Sequence, residues 1–228
     1  MSVVAEELDA LYHKVNCEGE EAIRNEREVL DQFLDNIDAD KRSGLTLQID
    51  IHGATNELYK KAIKSIQEIE PNIYIYPDSD LHVTVIDFIS ANLKYVKDDD
   101  QNNKIMELIE KALCGITKFD LVFQGLIVSD AAVLGKGYYI QGLNQIRNNI
   151  RKLAREQNIN LEQRYQRTSA HFTGLRFKSP LRNRSEFVKV VQEYNFSEVG
   201  AFRVNELELV IHDWYNRRKA VIKKFILP

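Results

Sequence analysis

The sequence predicts an α+β protein made of two similar halves. Three observations point there. Apolar residues recur at helical spacing in some segments and alternate in others, and the two kinds of segment interleave along the chain. A His-x-Thr triplet also sits inside a strand-like run once in each half, at His82-Val83-Thr84 and His171-Phe172-Thr173.

The elements follow in order. Residues 1–42 read as an acidic helical extension. Leu8, Leu11, Tyr12 and Val15 share one side of a first helix, and Ile23, Leu30, Phe33, Leu34 and Ile37 one side of a second. Ser43-Gly44 interrupts the pattern, so the globular part is expected over 43–228. Residues 45–51 alternate as a strand, and 55–69 form a helix with Leu58, Ala62, Ile66 and Ile69 on its apolar face. Strands are expected over 72–76 and 81–89, a helix over 102–113, and a hairpin from 119–129 and 132–140. Inside that hairpin Gly135-Lys136-Gly137 lacks the pattern of a phosphate-binding loop and reads as a turn. The second half repeats the outline. A basic amphipathic helix (142–156, with Ile146, Ile150, Leu153 and Ala154) precedes strands over 161–166 and 169–177. A helix over 184–194 and closing strands over 202–215 and 220–227 complete it. Each half thus holds one central His-x-Thr strand.

Composition narrows the class. A chain of 228 residues with 44% hydrophobic content suits one large domain, or one domain of two lobes. No run approaches the roughly 20 apolar residues that span a bilayer, so no membrane partner is expected. The first residues carry early acids and no long apolar stretch, unlike a secretion signal. Two cysteines, Cys17 and Cys114, make no disulfide framework, and the expectation is a cytoplasmic protein with reduced thiols. The net charge of −3 conceals an asymmetry: residues 1–42 hold twelve acids against five bases, and residues 144–190 eleven bases against three acids. Two solvated faces would explain this, as would a basic half that attracts a phosphate-bearing ligand. The chain as a whole is not basic, so nothing calls for a duplex-binding surface.

The triplets carry chemistry. Residues i and i+2 of a strand project to one face, so His82 and Thr84 go together, as do His171 and Thr173. Val83, Val85 and Ile89 then point the other way, as do Ala170 and Phe172. Imidazoles titrate near neutral pH, so one can act as base while the other acts as acid. Threonine hydroxyls can donate to an oxygen that gains charge.

Set in LHVTVIDF and AHFTGLRF, 89 residues apart, these motifs resemble the paired His-x-Thr/Ser motifs of the 2H phosphoesterase superfamily, over roughly residues 43–228. That resemblance implies a bilobal fold, two similar lobes of antiparallel sheet plus helices around a central groove. It implies a metal-independent phosphoesterase, needing no cofactor, that acts on RNA ends, oligonucleotides or small cyclic nucleotides. His82 and His171 would be catalytic, and Thr84 and Thr173 would bind the phosphate. Many members carry Arg or Lys close after a motif. Arg176 stands three residues beyond Thr173, but strand parity turns it to the opposite face unless Gly174 hosts a bulge.

Other candidates are weaker. His13 belongs to the acidic leader, His52 ends a strand and could reach the groove, and His212 reads as a packed strand residue. Tyr138, Tyr139 and Tyr165 could stack on a base or pack in the interior. Cys114 has no local basic activator, and the five histidines show no metal-ligand spacing. The main alternative is a non-catalytic nucleotide- or RNA-binding protein on the same scaffold. A third reading takes the motifs as coincidence and the leader as a partner-binding segment. The apolar stripe of the leader would need a partner surface, either the basic lobe or a second copy in a homodimer.

Overall fold

The computed structural model describes residues 3–161 and 168–228. Two antiparallel sheets form the two lobes. The first is built from β1 (Ser43–Asp50), β3 (His82–Asn92), β8 (Glu206–Asp213) and β9 (Lys219–Ile226), in the order β3-β1-β8-β9. The second is built from β2 (Tyr74–Ile75), β4 (Phe119–Val128), β5 (Ala132–Tyr138), β6 (Phe172–Arg176) and β7 (Glu198–Val204), in the order β2-β6-β5-β4-β7. Helices α1 (Val3–Arg24), α2 (Glu57–Ile69) and α5 (Arg184–Glu193) pack on the second sheet. Helix α4 (Leu143–Glu156) packs on β3, and α3 (Asp99–Ala112) packs on α4.

The lobes are not the sequence halves. Strand β8 returns from the C-terminal end to pair with β1, β9 pairs with β8 at the edge, and β4 pairs with β7. The run read as one strand over 202–215 breaks at Asn205 into β7 and β8, which lie in different sheets. Strand propensity is continuous there, and only the partners decide: Phe202 pairs with Leu121, whereas Leu209 pairs with Leu47. The first motif strand is also not central: β3 is an edge.

Strand β1 is buried on both faces, with Leu45, Leu47 and Ile49 on one and Thr46 and Gln48 on the other. Helix α2 is capped by the Asn56 side chain, which accepts from the backbone N–H of Leu58 and Tyr59. Its buried face holds Tyr59, Ala62, Ile63 and Ile66, while Leu58 is exposed, because the covering elements lie one position round from the expected stripe.

The leader departs most from expectation. Helix α1 ends at Arg24, Glu26 takes a left-handed conformation (φ 56°), and in place of the expected second α-helix only a 3-10 turn, Ile37–Ala39, precedes β1. Backbone donors of the next segment go to distant strand ends: Val29 N–H to Asp130 O (2.7 Å) and Asp31 N–H to Phe177 O (2.9 Å). Leu8, Tyr12, Ile23, Leu34 and Ile37 are buried in the core shared with the sheets and Phe33 packs against it, so most of the stripe is covered within the chain, while Leu30 is exposed. The Tyr12 hydroxyl donates to Gly137 O (2.8 Å) and accepts from Gly137 N (3.2 Å) and Ala170 N (3.1 Å). It fills the ladder where β5 and the chain leading into β6 separate.

Gly135-Lys136-Gly137 is strand, not turn. A Cβ on Gly135 would lie 2.1 Å from the Phe172 ring, and one on Gly137 1.9 Å from Ala170 O. These glycines serve close packing between β5 and β6. Among the described residues no helix is long and apolar enough to cross a membrane.

Candidate active site

Each motif strand carries one extra residue just after its threonine. Leu47 pairs with Ile86 and Gln48 with Thr84, which leaves Val85 unmatched. Leu134 pairs with Thr173 and Val133 with Leu175, which leaves Gly174 unmatched. A bulge of this kind reverses the alternation beyond it. His82, Thr84 and Asp87 are therefore all half-buried on one side, with Val83, Val85 and Ile86 buried on the other. His171, Thr173 and Arg176 repeat that rhythm around Phe172, Gly174 and Leu175. Simple parity had turned Arg176 away, and the bulge at Gly174 brings it back. A second register shift leaves Phe88 unmatched and returns Ile89, opposite Leu45, to the face of Val83 and Ile86.

All five expected residues, His82, Thr84, His171, Thr173 and Arg176, line one cleft of about 380 Å³. Its wall also includes Tyr76, Asp87, His212 and Trp214. The Nδ1 of His82 lies 2.9 Å from Asp80 O, which also accepts from Asn216 Nδ2 (3.2 Å). A carbonyl only accepts, so Nδ1 carries a proton and Nε2 is the nitrogen with which His82 can exchange one. The Nδ1 of His171 lies 2.7 Å from Ser169 Oγ, a hydroxyl that can donate or accept. Arg176 Nε donates to the Tyr76 hydroxyl (2.9 Å), and its guanidinium lies 5.5 Å from the Trp214 ring centre. Arg42 stacks on the same indole at 4.4 Å.

Arg147 on α4 ties the two motifs together. It is fully buried, and its guanidinium donates at 2.8 Å to Val85 O and Thr84 O of β3 and to Thr168 O and Ser169 O before His171. It thereby meets carbonyls at the bulge of an edge strand and fixes where one motif lies against the other.

Sequence reasoning missed Arg147, Asp87, Tyr76 and Trp214. Arg147 left a signal: it lies on the buried face of its helix, between Ile146 and Ile150. Asp87 left another, standing five residues after its histidine, as Arg176 does after His171. His212 is packed as expected, yet it also lines the cleft. His52 does not: it is exposed and pairs with Asp78. Tyr138 and Tyr139 lie outside the cleft wall, where the Tyr138 hydroxyl donates to Asp9 and the Tyr139 hydroxyl donates to Thr168 O and lies 2.7 Å from the Asn144 side-chain amide. The expected strand over 161–166 and its Tyr165 fall outside the described residues, Leu161 excepted. His13 and Cys114 are exposed. Among the described residues no three of His, Cys, Asp and Glu gather as a metal-binding group.

No protein-family model and no curated protein matches the sequence. Solved structures match in fold. TT0787 of Thermus thermophilus gives a TM-score of 0.56 at 14% identity, over 82% of this chain and 97% of its own. A structure titled as a phosphoesterase gives 0.51 at 13% identity, over 82% and 98%. LigT of E. coli, in complex with 3′-AMP, gives 0.50 at 14% identity, again over 82% and 98%. This chain shares the fold of these solved structures, and in it two antiparallel lobes bring both His-x-Thr segments to one cleft.

Proposed function

We propose that this chain is a phosphoesterase that cleaves a phosphodiester or opens a cyclic phosphate on an RNA end, an oligonucleotide or a small nucleotide. The observation that carries the reading is the convergence of His82, Thr84, His171 and Thr173 on one cleft from strands of different sheets. One imidazole takes a proton from the attacking water or hydroxyl as its oxygen bonds to phosphorus. The other, as imidazolium, gives a proton to the oxygen that leaves as its P–O bond breaks. Thr84, Thr173 and Arg176 hold the non-bridging oxygens while charge shifts onto them. His82 and His171 exchange roles if the reaction runs backwards, so ligation and cleavage use the same groups. Support for a nucleotide ligand comes from the fold shared with LigT, solved with 3′-AMP.

The test is turnover of 2′,3′-cyclic nucleotides and 2′,5′-linked oligonucleotides by the purified chain. The expected result is cleavage that His82→Ala and His171→Ala each slow by about 10²–10⁴. Tight binding of these compounds without turnover would favour the non-catalytic binding protein, and neither binding nor turnover would end both readings.

A further inference from the structure

The hairpin loop between β8 and β9 serves the cleft twice. Trp214 lines the wall, and Asn216 reaches the carbonyl that holds His82. The loop is shaped without the Asn216 side chain. Asp213 Oδ1 accepts from the backbone N–H of Tyr215 (3.1 Å) and Arg217 (3.0 Å), and its Oδ2 from that of Arg218 (3.2 Å). The Asn216 N–H closes a turn on Asp213 O (3.2 Å). Asn216 itself takes the left-handed conformation (φ 60°), which glycine adopts without steric strain.

Glycine would therefore serve the loop, and the amide has another use. Asn216 is 1% exposed. Its Nδ2 donates to Asp80 O (3.2 Å), while its Oδ1 is buried with no partner. An orphaned buried acceptor is unfavourable, so this side chain is poorly explained by stability alone. The bond it does make goes to the carbonyl 2.9 Å from His82 Nδ1. A carbonyl carries two lone pairs and can receive both donors at once. Which nitrogen of an imidazole carries the proton is set by the bond that the other nitrogen makes. Whether His82 takes or gives a proton at Nε2, the second proton must stay on Nδ1. A neutral ring protonated on Nε2 instead offers the cleft no lone pair.

We propose that Asn216 is a positioning residue for His82. It holds the Asp80 carbonyl where it receives the Nδ1–H, and so fixes the tautomer that presents Nε2 to the cleft. The effect on rate rests on the phosphoesterase reading, whereas the tautomer is read without turnover.

Nitrogen-15 NMR of the full chain with labelled imidazoles tests this, at about pH 8.5, two units above the ordinary histidine value. The His82 signals are those lost in His82→Ala. In the wild type the neutral ring should hold its proton on Nδ1. Asn216→Gly keeps the backbone conformation and removes the amide. It should give a mixture of tautomers at His82 and a kcat lower by about 10- to 100-fold, with KM little changed. Asn216→Ala, which fills part of the space, carries the same expectation, and either variant that melts cooperatively decides the matter. Wild-type tautomer and wild-type rate in such a variant, in a chain that turns over cyclic nucleotides, overturn this inference alone. A lower rate with an unchanged tautomer also overturns it, because Asn216 would then be merely structural. A wild-type chain that does not turn over nucleotides overturns the phosphoesterase reading with it.

Discussion

Replacing Arg147 with Met removes a guanidinium that donates to four backbone carbonyls across the seam between the motifs. An apolar side chain of similar length fills the space and satisfies none of them. An orphaned buried acceptor costs about 1–3 kcal/mol. The lower end applies, because each carbonyl has a second lone pair and because loss of a buried cation relieves its desolvation. Thr168 O keeps the Tyr139 hydroxyl, so three carbonyls at about 1 kcal/mol each give a loss of about 3 kcal/mol, against a total of about 5–15 kcal/mol for a domain. For a chain of this size that lowers Tm by about 6–12 °C. Lysine, with one nitrogen, cannot span both segments, so Arg147→Lys should recover part of the stability and little of the turnover. Urea unfolding followed by fluorescence of the single tryptophan, Trp214, reports on the cleft itself. A loss under about 1 kcal/mol in Arg147→Met, or full turnover in Arg147→Lys, would refute the clamp.

The remaining predictions concern the site and its support. His82→Ala and His171→Ala should each lower kcat by about 10²–10⁴, with activity persisting in chelator and a bell-shaped pH profile in the wild type; a chelator-sensitive rate restored by a divalent ion would contradict the proposed chemistry. Burial depresses the His212 pKa, so the unfolded chain binds the proton more readily. The stability due to this group is complete above the ordinary histidine value of about 6.5 and declines as pH falls below it, by at most about 1.4 kcal/mol per pH unit. His212→Gln should flatten that part of the acid limb in urea titrations, and an unaltered slope would count against it. Tyr12→Phe leaves the N–H groups of Gly137 and Ala170 without their hydroxyl acceptor and should cost about 1–3 kcal/mol in thermal unfolding. Deleting residues 1–42 should yield chain that fails to fold, because Leu8, Tyr12, Ile23, Leu34 and Ile37 belong to the core; a soluble, cooperatively melting truncation would show that the leader is dispensable.

What the sequence revealed follows the range of the forces involved. Periodicity placed α4, α5, β3 and the β4–β5 hairpin because one face of each is buried. The motif residues were legible because two-residue parity holds as far as Thr84 and Thr173. Beyond them a single extra residue inverts the pattern, and only Gly174 hinted at it; Val85 looks like any strand valine. Sheet membership was not legible at all. Nothing local in residues 202–215 says that Asn205 divides two lobes, since that choice is made by strands far away in sequence. The leader failed for the same reason: its apolar spacing fits a helix, but its donors are taken by Asp130 and Phe177.

The exchange of strands between the lobes bears on how the molecule comes apart. The C-terminal β8 and β9 pair beside the early β1, and the early β4 sits between β5 and the late β7. A gene cut near residue 142 would therefore give two fragments, each lacking partners for its own strands and neither able to close a sheet. Association of the fragments, not independent folding, would restore the protein. In the intact chain no lobe can melt while the other survives, and denaturant should produce one sharp transition in which both histidines leave the cleft together.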